Sequence, residues 1–106
     1  MTAETDLYIP QGTTWSQSWQ IINYDLTGTT WTGRSQVRRC ADSEDVLHDF
    51  AVSVDEDIVT VSVPPDTSSA WTWKTGVYDV EIEAADGRVL RVVQGGVYVS
   101  REVTRD

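Results

Sequence analysis

Apolar and polar residues alternate along much of this chain, most clearly near its carboxyl end. In residues 77–84 every second position is apolar or aromatic, and Asp79, Glu81 and Glu83 stand between them. A period of two places successive side chains on opposite faces of a β-sheet. The stretch therefore predicts a strand with one face in a core and one acidic face in water.

A turn signal and a second apolar run follow this strand. Asp86-Gly87 comes directly after it, and residues 89–99 are rich in valine. An Asp-Gly pair between two strand patterns favours a type I′ hairpin, in which both turn residues have positive φ. Gly95-Gly96 inside the second run indicates a β-bulge or a close approach of another backbone.

The same alternation recurs along the rest of the chain. Further strands are predicted in residues 7–9, 14–22, 29–38, 46–54 and 59–63, with one helical turn in residues 66–70. Pro10 confines the first of them to a sheet edge or a strand end. Six to seven short, mainly antiparallel strands predict an all-β fold, an immunoglobulin-like β-sandwich. A small barrel is the competing architecture.

Length and charge narrow the class of protein. The 106 residues form one domain, 1–106, with flexible ends expected at about 1–5 and 101–106. The formal net charge of −9 argues against a nucleic-acid partner and against an anionic membrane surface. Cys40 is the single cysteine, so no internal disulfide forms. Residues 1–6 lack the features of a signal peptide, and the expected site of synthesis is a cytoplasm.

Candidate catalytic and ligand-binding groups are few. His48 is the single histidine, lies in register with Phe50, and is expected to be partly buried and structural. One histidine and one cysteine cannot complete a zinc site, and the acidic residues 55–57 lack the spacing of a calcium loop. The sequence therefore predicts no enzyme activity, no metal and no cofactor.

Five tryptophans are the more informative residues. Trp15, Trp19 and Trp31 fall on inward faces and are expected in the core. Trp71 and Trp73 precede a strand, so they are candidates for a contact with a partner, for packing over the end of the sandwich, or for a sugar platform. The other candidate contacts are Leu7 and Tyr8 on an edge strand and the acidic row of Asp79, Glu81 and Glu83.

Several segments carry a resemblance to a known family. They are LYIPQGTTW at 7–15, DLTG at 25–28 leading into QVR at 36–38, GVYDVEI at 76–82, GRV at 87–89, QGGVYVS at 94–100 and EVTR at 102–105. In this order they resemble the amino-terminal immunoglobulin-like domain of siphophage upper baseplate proteins, among small tailed-bacteriophage structural proteins. Gln17 departs from the usual apolar residue, and no fibre-forming extension follows Ser100, which favours a free-standing virion component.

The resemblance implies a structural and non-enzymatic function. The expected role is a minor tail protein of the tail tip or baseplate, made in the bacterial host cytoplasm and localised in the virion. Its expected partners are other phage structural proteins, in multiple symmetric copies. Head (capsid) decoration or a minor capsid role is the alternative, and the aromatic content leaves a carbohydrate-binding module as a further one.

Overall fold

Two β-sheets pack face to face in the computed structural model, which describes residues 2–22 and 24–103. Nine strands and one helical turn make up this described part of the chain. They are β1 (Ala3–Glu4), β2 (Leu7–Pro10), β3 (Trp15–Gln20), β4 (Trp31–Arg38), β5 (Val46–Asp49), β6 (Ala51–Asp55), β7 (Ile58–Val63), α1 (Pro65–Ser69), β8 (Thr75–Ala84) and β9 (Val89–Ser100).

The strand order is that of an immunoglobulin-like sandwich, as the sequence predicted. One sheet has the order β1-β9-β8-β4-β5, with β2 also pairing with β9, and the other has the order β3-β7-β6. The chain changes sheets between β2 and β3, between β3 and β4, between β5 and β6, and across α1 between β7 and β8. Two separate sheets with free edges are a sandwich rather than a closed barrel.

The core lies between the inward faces of β7, β8 and β9. Val59, Val61, Val80 and Ile82 have relative exposures of 0%. Burial of such a side chain stabilises a fold by roughly 1.5–3 kcal/mol. Trp31 closes one end of the core, where its indole Nε1–H donates to the Leu26 carbonyl oxygen at 2.9 Å. The alternation of β8 therefore stabilises the fold through one face only, as predicted.

The hairpin of β8 and β9 is confirmed, but its turn differs from the predicted one. Gly87 has φ 98°, whereas Asp86 has no positive φ. The Gly87 N–H donates to the Ala84 carbonyl at 2.9 Å, and the Ala84 N–H donates to the Arg88 carbonyl at 2.8 Å. This is a three-residue loop that ends in a left-handed glycine, so the type I′ prediction was wrong.

Gly87→Val is expected to lower the free energy of unfolding by about 1–3 kcal/mol, because a β-branched residue resists positive φ. No heavy atom lies within 4 Å of a Cβ built there, so the effect isolates backbone strain. Ala85→Val, in the same loop, is the control and should have little effect. Chemical denaturation of both variants measures the difference, and equal midpoints would contradict this turn geometry.

Residues 46–54 form two strands rather than the single strand predicted. β5 belongs to the six-stranded sheet, β6 belongs to the three-stranded sheet, and Phe50 lies between them. The Phe50 N–H donates to the Ser35 carbonyl at 2.9 Å, while Ala51 already pairs with Ser62 of the opposite sheet. The chain therefore crosses the sandwich at Phe50, whose side chain is buried.

The amino-terminal segment is paired rather than free. β1 and β2 both run parallel to β9, with Ala3 opposite Val93 and Leu7 opposite Val97. Residues 3–5, part of the start that was expected to be flexible, are thus hydrogen-bonded to β9, and Met1 lies outside the described residues. At the other end, residues 101–103 continue beyond β9 without forming a strand, and 104–106 lie outside the described residues.

Candidate functional site

The outward face of β8 is an ion-paired ladder rather than a purely acidic surface. Arg34 of β4 donates to Glu81 at 3.0 Å and to Glu83 at 3.0 Å. Arg91 of β9 lies 3.6 Å from Asp79 and 3.7 Å from Glu81. The neighbouring carboxylates raise the pKa of Arg34, with Glu81 contributing most. The acidic face predicted from the sequence is thus largely neutralised by two guanidinium groups.

A β-bulge in β9 brings Arg91 onto this face. Val93 pairs with Val80, but the next pair along the strands is Arg91 with Glu81, so Val92 is the extra residue. Without this extra residue, the period of two would turn Arg91 toward the core. The bulge therefore lies at Val92. Of the two alternatives predicted for Gly95-Gly96, the close approach of another backbone is confirmed at Gly95, where a Cβ would overlap the backbone of Thr5.

Two tyrosines form the most exposed aromatic contact on the same sheet. Tyr8 of β2 pairs with Tyr98 of β9, and their rings stack with centroids 5.3 Å apart and planes 18° apart. Tyr8 is 68% exposed and Tyr98 is 44% exposed. Val77, 36% exposed, lies opposite Gly96 on the adjacent strand. We call Tyr8, Tyr98 and Val77 the aromatic strip.

The residues around this strip determine its shape. A Cβ on Gly96 would lie 3.1 Å from ring atoms of Tyr98, so glycine there leaves room for the ring to lie over the sheet. A concave cleft of about 600 Å³ borders the strip and is lined by residues of both charges, including Glu4, Arg38, Asp79 and Arg91. The face thus combines an apolar contact area with polar and charged neighbours.

Leu7 does not belong to this surface, although the sequence suggested it as a contact. Its side chain is 2% exposed and, with Ile9, packs into the core. The alternation of β2 explains the difference, since Leu7 and Ile9 face inward while Tyr8 faces outward. Tyr98 was the residue that the sequence reasoning missed, although its position between inward Val97 and Val99 marks it as outward-facing.

Trp71 and Trp73 pack together at one end of the sandwich. Their ring centroids are 4.6 Å apart, and Trp71 also contacts His48 edge-to-face at 4.9 Å. The Gln11 side-chain amide donates to the Trp71 carbonyl at 2.9 Å and to the Ser68 carbonyl of α1 at 2.9 Å, which ties this segment to α1. Both indoles are partly buried and pack against the core. Of their three predicted roles, packing over the sandwich end is the one that these contacts describe.

His48 is partly buried, as predicted, and its environment disfavours the imidazolium form. Burial lowers the pKa of His48 from its ordinary value of 6.5, and the carboxylate of Asp49 opposes this shift. Phe50 and Trp71 both contact the imidazole edge-to-face.

The free energy of unfolding is expected to fall as the pH decreases from about 7.5 to about 5.5. The unfolded state binds a proton at His48 near its ordinary pKa, 6.5, whereas the folded state stays neutral to lower pH. The unfolded state thus binds more protons in this window, and lower pH favours unfolding. Denaturant titrations at both pH values should show a smaller change in the free energy of unfolding for His48→Gln than for the wild type, because the variant keeps all carboxylates and loses only the imidazole. An unchanged pH dependence in the variant would contradict this assignment.

The remaining polar candidates are local structural groups. Asp25 accepts hydrogen bonds from the Thr27 N–H at 2.9 Å and from its hydroxyl at 2.6 Å, which lowers the pKa of Asp25. Cys40 is exposed in the loop after β4. Within residues 2–22 and 24–103, no three His, Cys, Asp or Glu side chains gather where they could hold a metal ion. No helix in that same part of the chain is long and apolar enough to cross a membrane.

Comparisons with known proteins add little to these observations. No protein-family model and no curated protein sequence matches the chain. Among solved structures it is similar to a 2,6-sialyltransferase from Photobacterium sp. JT-ISH-224, with 10% identity and a TM-score of 0.36 over 94% of this chain and 18% of the enzyme. It is also similar to the extracellular domain of the voltage-gated sodium channel β4 subunit, with 8% identity and a TM-score of 0.40 over 97% and 92% of the two chains. Likenesses this weak assign neither an activity nor a partner.

Proposed function

We propose that this protein is a non-enzymatic structural component of a tailed-phage virion, which docks on a larger assembly at the tail tip or baseplate. The observation that carries the docking role is the aromatic strip. Its two tyrosines stack on each other at the solvent-exposed surface of the paired strands β2 and β9. Exposed aromatic groups on a rigid surface lose little side-chain entropy on binding, and such residues dominate many interfaces.

The surroundings of the strip favour a protein partner. Next to it lie Gln36, Gln94 and the ion pairs of Arg91, which could form a polar rim around an apolar centre. A central apolar anchor with a polar rim is the usual anatomy of a protein interface. The virion context itself comes from the sequence resemblance and stays a proposal.

The location can be tested on purified tailed phage particles from a bacterial culture that produces this protein. We expect mass spectrometry and immunogold labelling to find the protein at the tail tip, in at most a few dozen copies per particle. Roughly hundreds of copies on the head would instead support capsid decoration. Absence of the protein from mature particles would overturn both versions of the proposal.

The docking face can be tested separately with surface variants. Tyr8→Ser combined with Tyr98→Thr should leave the domain folded and prevent its incorporation into particles. Val46→Ser is the matched control, because Val46 is a 38% exposed apolar residue on β5 of the same sheet. Normal incorporation of the double variant would exclude the aromatic strip as the docking site.

A carbohydrate-binding module is the second candidate, and the exposed tyrosine rings now favour it more than the tryptophans do. Trp71 and Trp73 cover each other, whereas the rings of Tyr8 and Tyr98 are reachable from solvent. A glycan array probed with the wild-type protein and with the tyrosine double variant tests this candidate. Absence of any glycan bound by the wild type and lost in the variant would remove it.

A further inference from the structure

β3 is an edge strand whose second edge faces no other strand in the described part of the chain. It pairs with β7 along its full length, from Trp15 opposite Val63 to Gln20 opposite Ile58. On its other side, the backbone N–H and C=O groups of an edge strand are free to pair with another chain. Strands in this position normally carry a device that prevents such pairing.

β3 lacks the protective devices that the other edges of this protein carry. No charged residue occurs from Leu7 to Tyr24, although the chain has seventeen acidic and eight basic residues. By contrast, β6 ends in Asp55, β5 ends in Asp49, and β2 ends in Pro10. β3 contains no proline, and its pairing with β7 runs without a register shift.

The side chains on both faces of β3 leave room for another strand to pair along its free edge. Outward, Ser16 and Ser18 are small, and the Ser18 hydroxyl lies 2.7 Å from that of Thr60 on β7. Inward, Trp15 and Trp19 are only partly buried, although they pack against the core. A further strand along β3 would cover apolar area that the edge now leaves in water.

A mainly apolar cleft lies beside the end of β3. It measures about 310 Å³, and its lining includes Trp19, Ile21, Leu90 and Val92, together with the polar Gln20 and the charged Arg91. Ile22, at the rim, is 77% exposed. Apolar area of this kind beside an unprotected edge marks an association surface.

We propose that β3 pairs antiparallel with β3 of a second copy of this chain. A two-fold axis between the strands would join two three-stranded sheets into one continuous sheet of six strands, and such an isologous contact closes as a dimer. The net charge of −9 on each copy opposes self-association, so two copies can meet only where neither brings charge to the contact. An antiparallel contact between two β3 strands meets this condition, because the same segment without charge, residues 7–24, then lies on both sides. The inference does not depend on the virion role.

The mass of the protein in solution tests this pairing. Sedimentation velocity from about 1 μM to about 500 μM should show a shift from 11.9 kDa to twice that mass, 23.8 kDa, as the concentration rises. Ser18→Lys, which places a charge in the middle of the edge, should shift the dissociation constant upward by at least about tenfold. A wild-type protein that stays monomeric throughout this range would overturn the proposal.

Ser53→Lys is the matched control. Ser18 and Ser53 are both exposed and both pair directly with Thr60, from opposite sides, but Ser53 lies on the β6 edge. The dimer should therefore persist in Ser53→Lys. Equal loss of the dimer in both variants, or its persistence in Ser18→Lys, would contradict pairing through β3.

Hydrogen exchange tests the same contact in the unmodified protein. Amides in residues 15–20 should become more protected as the concentration rises, while amides of the β6 edge should not change. A dimer that forms without added protection in β3 would place the interface elsewhere. Detection of the protein in virions, or its absence from them, leaves this result unaffected, so the two proposals fail independently.

Discussion

Gly95→Ala is expected to lower the free energy of unfolding by about 2–4 kcal/mol. This is the largest effect that we predict for adding one methyl group at a glycine. A Cβ at this position would overlap the carbonyl oxygen of Thr5 and lie 2.8 Å from its carbonyl carbon. Backbone atoms cannot move aside as a flexible side chain can. The amino-terminal segment would therefore have to leave β9, with loss of the Thr5 N–H bond to Gln94 at 3.0 Å and the Tyr78 hydroxyl bond to Thr5 at 2.6 Å.

Gly96→Ala is the adjacent control. The three heavy atoms nearest to a Cβ on Gly96 all belong to the Tyr98 side chain, at 3.1–3.3 Å, and that exposed side chain can move. We expect a loss below about 1 kcal/mol for Gly96→Ala. Guanidinium denaturation of both variants measures the difference. Similar losses in the two variants would mean that the approach of Thr5 to Gly95 does not limit this position.

Leu7→Ala is expected to lower the free energy of unfolding by about 2–5 kcal/mol. The Leu7 side chain is 2% exposed, so its truncation removes buried apolar area and leaves a cavity beneath the amino-terminal strand. Because β9 is the one strand that pairs with β2 in the described part of the chain, a weakened β2 should also detach locally from the sheet. Hydrogen exchange at residues 97–100 should then accelerate more than exchange in β7.

Tyr8→Ala is the control for Leu7→Ala, because it truncates an exposed residue of the same strand. Tyr8 is the next residue along β2 but is 68% exposed, so its truncation loses mainly the stacking on Tyr98. We expect a loss below about 1.5 kcal/mol. The ratio of the two losses, measured by denaturation, checks which face of β2 is inside. A larger loss for Tyr8→Ala than for Leu7→Ala would mean that the register of β2 is wrong.

Local alternation predicted the strands well because the two sheets share one core. The inward face of β8 could be assigned residue by residue from its period of two. The same property hid the break at Phe50, since a strand that changes sheets keeps its alternate residues directed at the same core. Period alone therefore cannot distinguish one long strand from two strands in different sheets.

The contacts between strands were less predictable, because they depend on register. The carboxylates of β8 were identified from the sequence, but their pairing with Arg34 and Arg91 requires the alignment of β4 and the bulge at Val92. Likewise, Tyr8 was identified on an edge, whereas its stacking on Tyr98 follows from a parallel pairing between residues ninety positions apart. No local pattern in the sequence encodes such a pairing.

The parallel pairing of β2 with β9 also has a consequence for biosynthesis. Leu7 to Pro10 pair with residues 97–100, which are synthesised ninety residues later. Until those residues leave the ribosome, the apolar side chains of Leu7 and Ile9 remain without this strand partner, and the long sequence separation makes the docking a late step. Truncation a few residues before Ser100 should then release β2 as well as shorten β9, so cellular proteases should degrade such truncated chains faster than chains that contain residues 97–100.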